Sequence, residues 1–229
     1  IDENQYGEFK KYLPHAEYKL TFQASNNRGV YSFCMCPGGF VVNSSSEEGH
    51  LSINGMSYSK RDSGISNSAI IVTVNKNDFG EGPLDGINFQ EYLEKKAYSL
   101  GNGNILVQSL KDYKDNVSNT KNLPNLKIKG NYIYANINDV FPEYINTSLK
   151  EALTYFNKKI KGFDDDNVII AAVESKTSSP IKFIRNDNME SNIKGLYPIG
   201  EGSGFAGGIT TSAIEGIKVA KIISSIYKN

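Results

Sequence analysis

The chain has 229 residues, 39% of them apolar and 22% charged, and its 25 basic and 25 acidic side chains cancel. That size and balance suit one large or two modest folded domains and exclude intrinsic disorder, collagen-like repeats and a global field that draws nucleic acid or an anionic membrane. No run reaches the roughly 18 to 20 apolar residues needed to span a bilayer, and the opening "IDENQYGEFKKYLPH" lacks the basic and apolar regions of a secretory leader.

Cys34 and Cys36 stand one residue apart, too close for an unstrained bridge and too few for a disulfide framework, which suits a reducing compartment. A cytoplasmic location is therefore expected, with a small-molecule substrate as partner and neither nucleic acid nor membrane. The start at Ile1, without a methionine, reads as the continuation of a longer polypeptide.

The expected strands begin with "EYKLTF" (Glu17 to Phe22). After the turn cluster "NNRG" comes "VYSFCM", and Pro37-Gly38-Gly39 is expected to close a hairpin onto "FVVN". A polar stretch from Ser44 to Ser68 leads to "AIIVTV" (Ala69 to Val74), whose unbroken apolar run predicts a strand buried on both faces. "INFQEYLEKKAYSLG" predicts a helix with Phe89, Tyr92, Leu93, Ala97 and Leu100 inward and Gly101 as its left-handed cap. Lys111 to Tyr132, rich in Asn and Lys, reads as surface loop.

"TSLKEALTYFNKKIKG" predicts a second helix, with Thr147 or Ser148 as N-cap and Leu149, Ala152, Leu153, Phe156 and Ile160 inward. Glu151 is its capping-box partner if Ser148 is the cap. "NVIIAAVES", "PIKFI" and "GLYPIG" follow as strands. "GGITTSAIEGIKVAKIISSIYK" closes as a long helix packing through Ile209, Ala213, Ile214, Ile217, Ala220 and Ile223. The change of pattern near residue 165 divides the chain into 1–165, β-rich with two helices, and 166–229.

Within "GLYPIGEGSGFAGG", Gly202, Gly204 and Gly207 have the spacing Gly-x-Gly-x-x-Gly. A strand, a glycine loop and a helix start aim unpaired N–H groups and a positive helix end at an anionic or electron-rich ligand edge. A dinucleotide fingerprint would also open a βαβ unit with a ribose-binding acid about 20 residues on, and the chain ends near that point. On spacing alone, a tight turn with close helix packing suits these glycines better.

The longer segment "NIKGLYPIGEGSGFAGGITTSAIEGIKVA" resembles the C-terminal flavin-contacting segment of two-dinucleotide-binding-fold FAD proteins, most of all the family of uncharacterised FAD-dependent dehydrogenases. The resemblance continues in "GVYSFCMCPGGFVVNSSSEEGHLSINGMSYSKRD", "NSAIIVTV", "GPLDGINFQEYLEKKAY" and "VESKTSSPIKFIRN". It implies an α+β fold: a β-rich inserted substrate domain, then the C-terminal strands and helix of an FAD/NAD(P)-binding fold, with FAD as cofactor. The ADP-binding N-terminal half of that fold would be a missing partner, so this polypeptide is not expected to hold FAD tightly on its own. By the same resemblance, Gly200 and Glu201 close over the ribityl and phosphate region, and Gly207, Gly208 and Ile209 start the helix that faces the flavin pyrimidine.

Several residues are candidates for catalysis, each with a plainer reading. Cys34 and Cys36, expected on one face of a strand, suit either a thiol relay to flavin or small buried strand side chains before a sharp turn. With His15 and His50 the only histidines, no metal-ligand set forms. In "SSSEEGHLSINGMSYSKRD", His50 or Tyr58 could act as acid or base and Arg61 could hold a substrate anion, or the stretch is a solvated loop. Lys176 to Pro180 resemble the family's segment near the flavin edge, and otherwise read as a turn before a strand. The expected function is the C-terminal part of an FAD-dependent oxidoreductase that moves a hydride between a small substrate and FAD. The alternative is a non-catalytic ligand- or protein-binding module.

Overall fold

Short β-branched and aromatic runs, broken by glycine and asparagine turns, make three small three-stranded sheets in the computed structural model, which describes residues 7–9, 11–13 and 19–227. His15, the first two residues of the expected strand Glu17–Phe22 and the end of the expected last helix at Lys228 lie outside the described residues. In chain order the first elements are β1 (Thr21–Gln23), β2 (Gly29–Cys36), β3 (Gly39–Asn43), β4 (Ile53–Ser57), β5 (Asn67–Val72), α1 (Lys76–Phe79) and α2 (Asp85–Gly101). They are followed by β6 (Ile105–Ser109), α3 (Leu110–Asp115), β7 (Ile128–Lys129), β8 (Tyr132–Tyr134), α4 (Glu143–Asn157), β9 (Ile169–Ala172) and α5 (Ile209–Ile226). The architecture is α+β, as the sequence implied. Cα proximity divides it into two units, Ile1–Asn75 with Glu91–Ser175, and Lys76–Gln90 with Lys176–Asn229.

In the first unit, β1, β2 and β5 form one antiparallel sheet with β2 central, while β3 pairs with β4 antiparallel and with β7 parallel. β2 and β3 therefore do not form the expected hairpin. Gly38 is left-handed, and a Cβ on Gly39 would lie 2.7 Å from Cys36 Cβ. A turn this tight sends the chain from one sheet into the next, and both edges of β2 are already taken. The real hairpin is β3–β4, whose second strand lies inside the stretch read as polar loop. β5 is an edge strand, half-buried at all six positions rather than covered on both faces.

α4 packs on the sheet of β1, β2 and β5, and Leu20, Ala24, Val30, Ala152 and Phe156 fill the space between them. Fully burying a large side chain such as Phe156 contributes about 1.5–3 kcal/mol. The apolar spacing placed Ala152, Leu153 and Phe156 correctly, but the helix starts earlier, at Glu143. Ser148 is buried in its second turn, donating to Tyr144 O at 2.7 Å and accepting from Asn26 Nδ2 at 2.9 Å. Glu151 is no capping partner; its carboxylate takes Ser25 N at 2.8 Å and Ser25 Oγ at 2.5 Å, which pins the turn between β1 and β2.

β6 is the centre of the third sheet, parallel to β8 and antiparallel to β9, and Ile105, Leu106, Val107 and Gln108 are all buried. Gln108 is satisfied there: Oε1 accepts from Ile137 N and Nε2 donates to Val117 O, both at 2.8 Å. α2 ends in its own helical Gly101, and the left-handed residues are Asn102 and Gly103. Gly101 is instead a packing residue, since a Cβ there would meet Leu106 Cδ2 at 2.8 Å. Leu93 and Ala97 are buried as expected, whereas Tyr92 and Leu100 are exposed. The stretch from Lys111 to Tyr132 holds most of α3 and β7 as well as loop.

In the second unit, "PIKFI" and "GLYPIG" form no strand; they run as irregular chain with an isolated bridge between Arg185 and Ser191. α5 forms where the spacing predicts it but with the opposite face covered. Val219 is its buried residue, while Ile209 is 94% exposed and Ile214 and Ile217 are also exposed. No described helix is long and apolar enough to cross a membrane.

Candidate functional site

The glycine stretch is a tied loop in front of α5. Glu201–Ser203 form one 3-10 turn closed by left-handed Gly204, whose N–H donates to Glu201 O at 2.9 Å. A Cβ on Gly204 would run into Ile181 O and lie 2.7 Å from Lys182 Cα, so glycine is required for the packing of the loop itself. Ser203 Oγ donates to Gly200 O at 2.9 Å, Gly208 N to Thr211 Oγ1 at 3.1 Å and Ser212 Oγ to Ala206 O at 3.1 Å.

Glu215, one turn into α5, ties the loop from below. Its Oε2 accepts from Gly200 N at 2.8 Å, its Oε1 from Arg185 at 2.6 Å, and the Ala206 backbone also donates to it. The Arg185 and Glu215 side chains are 14% and 13% exposed. Burial raises the Glu215 pKa, but the hydrogen bonds from Arg185, Gly200 and Ala206 outweigh it and hold the carboxyl below its usual range. Arg185 also donates to Pro198 O at 2.8 Å and lies 3.3 Å from the Phe205 ring centroid.

Gly200, Gly202 and Gly207 face open space. A Cβ on Gly202 or Gly207 would meet nothing within 4 Å, and one on left-handed Gly200 would meet Ser212 Oγ at 3.9 Å. The three glycines of the spacing motif thus have different roles: Gly204 serves the chain, while Gly202 and Gly207 leave space. Gly207, Gly208 and Ile209 are exposed at the start of α5, where the first N–H groups of a helix have no acceptor within it. Glu201 is exposed at the other end of the loop. Open space, backbone donors, a positive helix end and a carboxylate fit a ligand with an electron-rich edge and hydroxyl groups, as a flavin with its ribityl chain has.

In the first unit, Cys36, Tyr58 and Arg61 come together around the Gly38–Gly39 turn, where Cys36 bonds to Ser57 and Arg61 N donates to Tyr58 O at 3.0 Å. Cys34 is exposed and lies in a bulge of β2 between Ser32 and Met35, where the two-residue alternation is interrupted. Cys36 is half-buried; burial raises its pKa, and Glu174 adds to this against a lowering hydrogen bond with Ser57. A depressed thiol pKa, which a relay requires, is not found at Cys36. Tyr58 packs edge-on against Phe40 with centroids 5.6 Å apart, and Lys129 Nζ sits 5.7 Å from its ring. Arg61 is left-handed and exposed, and its carbonyl abuts Gly38.

The His50 side chain is 10% exposed, with Nδ1 2.9 Å from Glu48 O and a buried Nε2 that has no hydrogen-bond partner among the described residues. Near it in sequence, Leu51 N donates to the backbone of Glu94, a buried acid whose carboxylate accepts from Ser175 Oγ. Glu94, Glu174, Arg185 and Glu215 escaped the sequence reading. The available signal was a lone acid within an apolar helical run, as in "SAIEGIKVA".

A family model described as FAD-dependent protein, C-terminal domain-like, matches residues 1–177. An uncharacterized protein of Clostridium beijerinckii is 46% identical over 231 residues, an alignment that covers 97% of this chain and 43% of the relative. The chain therefore spans less than half the length of the curated relative it matches. The glycine loop lies beyond the residues matched by the family model but within the stretch shared with the relative. With most of its length matched, this chain belongs to the FAD-dependent protein, C-terminal domain-like family, a flavoprotein-associated part.

Proposed function

We propose that this chain is the C-terminal part of an FAD-dependent oxidoreductase that moves a hydride between a small substrate and FAD. The observation that carries the reading is the tied loop Gly200–Ile209, whose outward glycines keep the front of α5 clear. Gly200, Glu201, Gly207, Gly208 and Ile209 would hold the cofactor: the carboxylate accepts from ribityl hydroxyls, and the helix end favours the ring edge where negative charge develops. Bound FAD would supply the two-electron hydride acceptor. The chain's own task is to hold that ring in register, and the Arg185–Glu215 pair keeps the loop in one conformation.

The remainder of the fold is assigned to sequence outside these residues. Ile209 and Ile217 stand on an exposed apolar stripe of α5, and the longer relative has more than half its length outside the match. We assign that stripe to contact with the remaining, FAD-binding half of a full-length protein. Substrate handling is assigned to the first unit, with Cys34, Cys36, His50, Tyr58 and Arg61 as candidates. Of these, His50 has the strongest local case, because its buried Nε2 has no hydrogen-bond partner among the described residues.

The test is direct: the full-length Clostridium beijerinckii relative, purified without added cofactor, should carry visible flavin absorbance or acquire it with added FAD. A colourless protein that binds no FAD would remove the proposal.

A further inference from the structure

A shallow, open groove of about 380 Å³ runs beside the first turns of α5. Its apolar surface comes from Phe205, Ala206 and Ile214. Two ammonium groups, Lys182 and Lys218, stand at it, and among the described residues neither has a carboxylate partner. Lys182 Nζ is instead held 4.7 Å from the Phe205 ring centroid.

The other polar groups of the groove are already committed. Glu215 is occupied by Arg185, Gly200 and Ala206, so its charge is spent on the loop rather than on the lysines. The Arg185 fork is spent on Glu215 and on Pro198 O. Thr211 Oγ1 accepts from Gly208 N at 3.1 Å and donates to Gly208 O at 3.0 Å. Ile214 and Lys218 are four residues apart on α5 and therefore share one face. The groove thus presents an apolar wall flanked by two ammonium groups, neither of which has a carboxylate partner among the described residues.

We propose that this groove binds a small organic carboxylate, with the apolar body against Phe205 and Ile214 and the carboxylate between Lys182 and Lys218. Inorganic phosphate matches the charges but would leave the apolar wall wet, and a neutral ring matches the wall but leaves both ammonium groups without a counter-ion. The site stands on side chains of the second unit and does not depend on the flavin reading.

Titrating the 229-residue chain with benzoate, benzyl alcohol and inorganic phosphate, followed by backbone amide shifts, tests it without any flavin. Benzoate should move the amides of Gly204, Phe205 and Ala206 with an affinity on the order of millimolar. Benzyl alcohol and phosphate should each bind at least about fivefold more weakly, and Lys182→Met and Lys218→Met should each weaken benzoate by about fivefold. Lys182→Gln and Lys218→Gln serve as second variants should either methionine variant lose its native amide dispersion. Equal binding of benzyl alcohol, equal binding of phosphate, or benzoate affinity unchanged in folded lysine variants would each overturn the proposal.

Discussion

The two units differ in where their apolar surface goes. In the first, Phe156 and the whole of β6 are buried, and polar side chains such as Gln108 and Asn146 are satisfied inside it; Asn146 accepts from Tyr113 Oη at 2.9 Å. In the second, an 18-residue helix turns most of its isoleucines outward and is tied down by one ion pair and a glycine loop. The first unit has a buried core of its own, although Met56, Tyr58 and Tyr92 remain exposed on its surface. The second holds its shape through polar ties and leaves most of the isoleucines of α5 exposed.

Substitutions can break that contrast, and the largest effect is expected in the first core. Phe156→Ala should cost about 3–5 kcal/mol in urea unfolding, because it empties a site with no exposure. Gly204→Val comes next: the left-handed backbone alone costs about 1–2 kcal/mol, and the new side chain also meets Ile181 O, so the second unit should become sensitive to protease while the first stays protected. Glu215→Gln should cost about 2–3 kcal/mol, somewhat below a fully buried pair, and free the loop without harming β6.

The same pair gives the second unit a pH dependence of known sign. Because the folded Glu215 pKa is depressed, its contribution is complete above the unfolded value of about 4.3 and disappears as pH falls through the lower folded value. Loop amides should therefore lose hydrogen-exchange protection as the pH falls below about 4, before the first core opens. Protection that is unchanged in acid would break the assigned role of Glu215. The smallest effect is expected at Ile217→Asn, within about 0.5 kcal/mol in this chain because the side chain is 57% exposed. A loss as large as that of Phe156→Ala would show that the stripe is core after all.

What the sequence revealed follows the range of the interaction. Helical spacing located α4 and α5 because both are local patterns, and Ala152, Leu153 and Phe156 face inward as that spacing requires. For α5 the same pattern found the apolar stripe and could not say whether this chain covers it. β6 was passed over because five residues after "GNGN" carry little periodic signal, although its burial makes it central. Strand pairing is non-local, so the adjacency of β2 and β3 suggested a hairpin that the sheets do not contain. In the glycine loop, composition marks the segment, whereas the tie between Arg185 and Glu215 spans 30 residues and has no local signature.

The central claim is that the open face of the loop belongs to an FAD site completed outside this chain. Gly207 isolates it, because a Cβ there meets nothing within 4 Å among the described residues, so a larger side chain would take up open space at the start of α5. The most direct measurement is FAD content per polypeptide in a full-length protein carrying these residues, with and without Gly207→Val. The account predicts about one FAD per chain in the parent and a loss of most of it in a variant that still folds. Equal FAD content in both, or none in either, would contradict it.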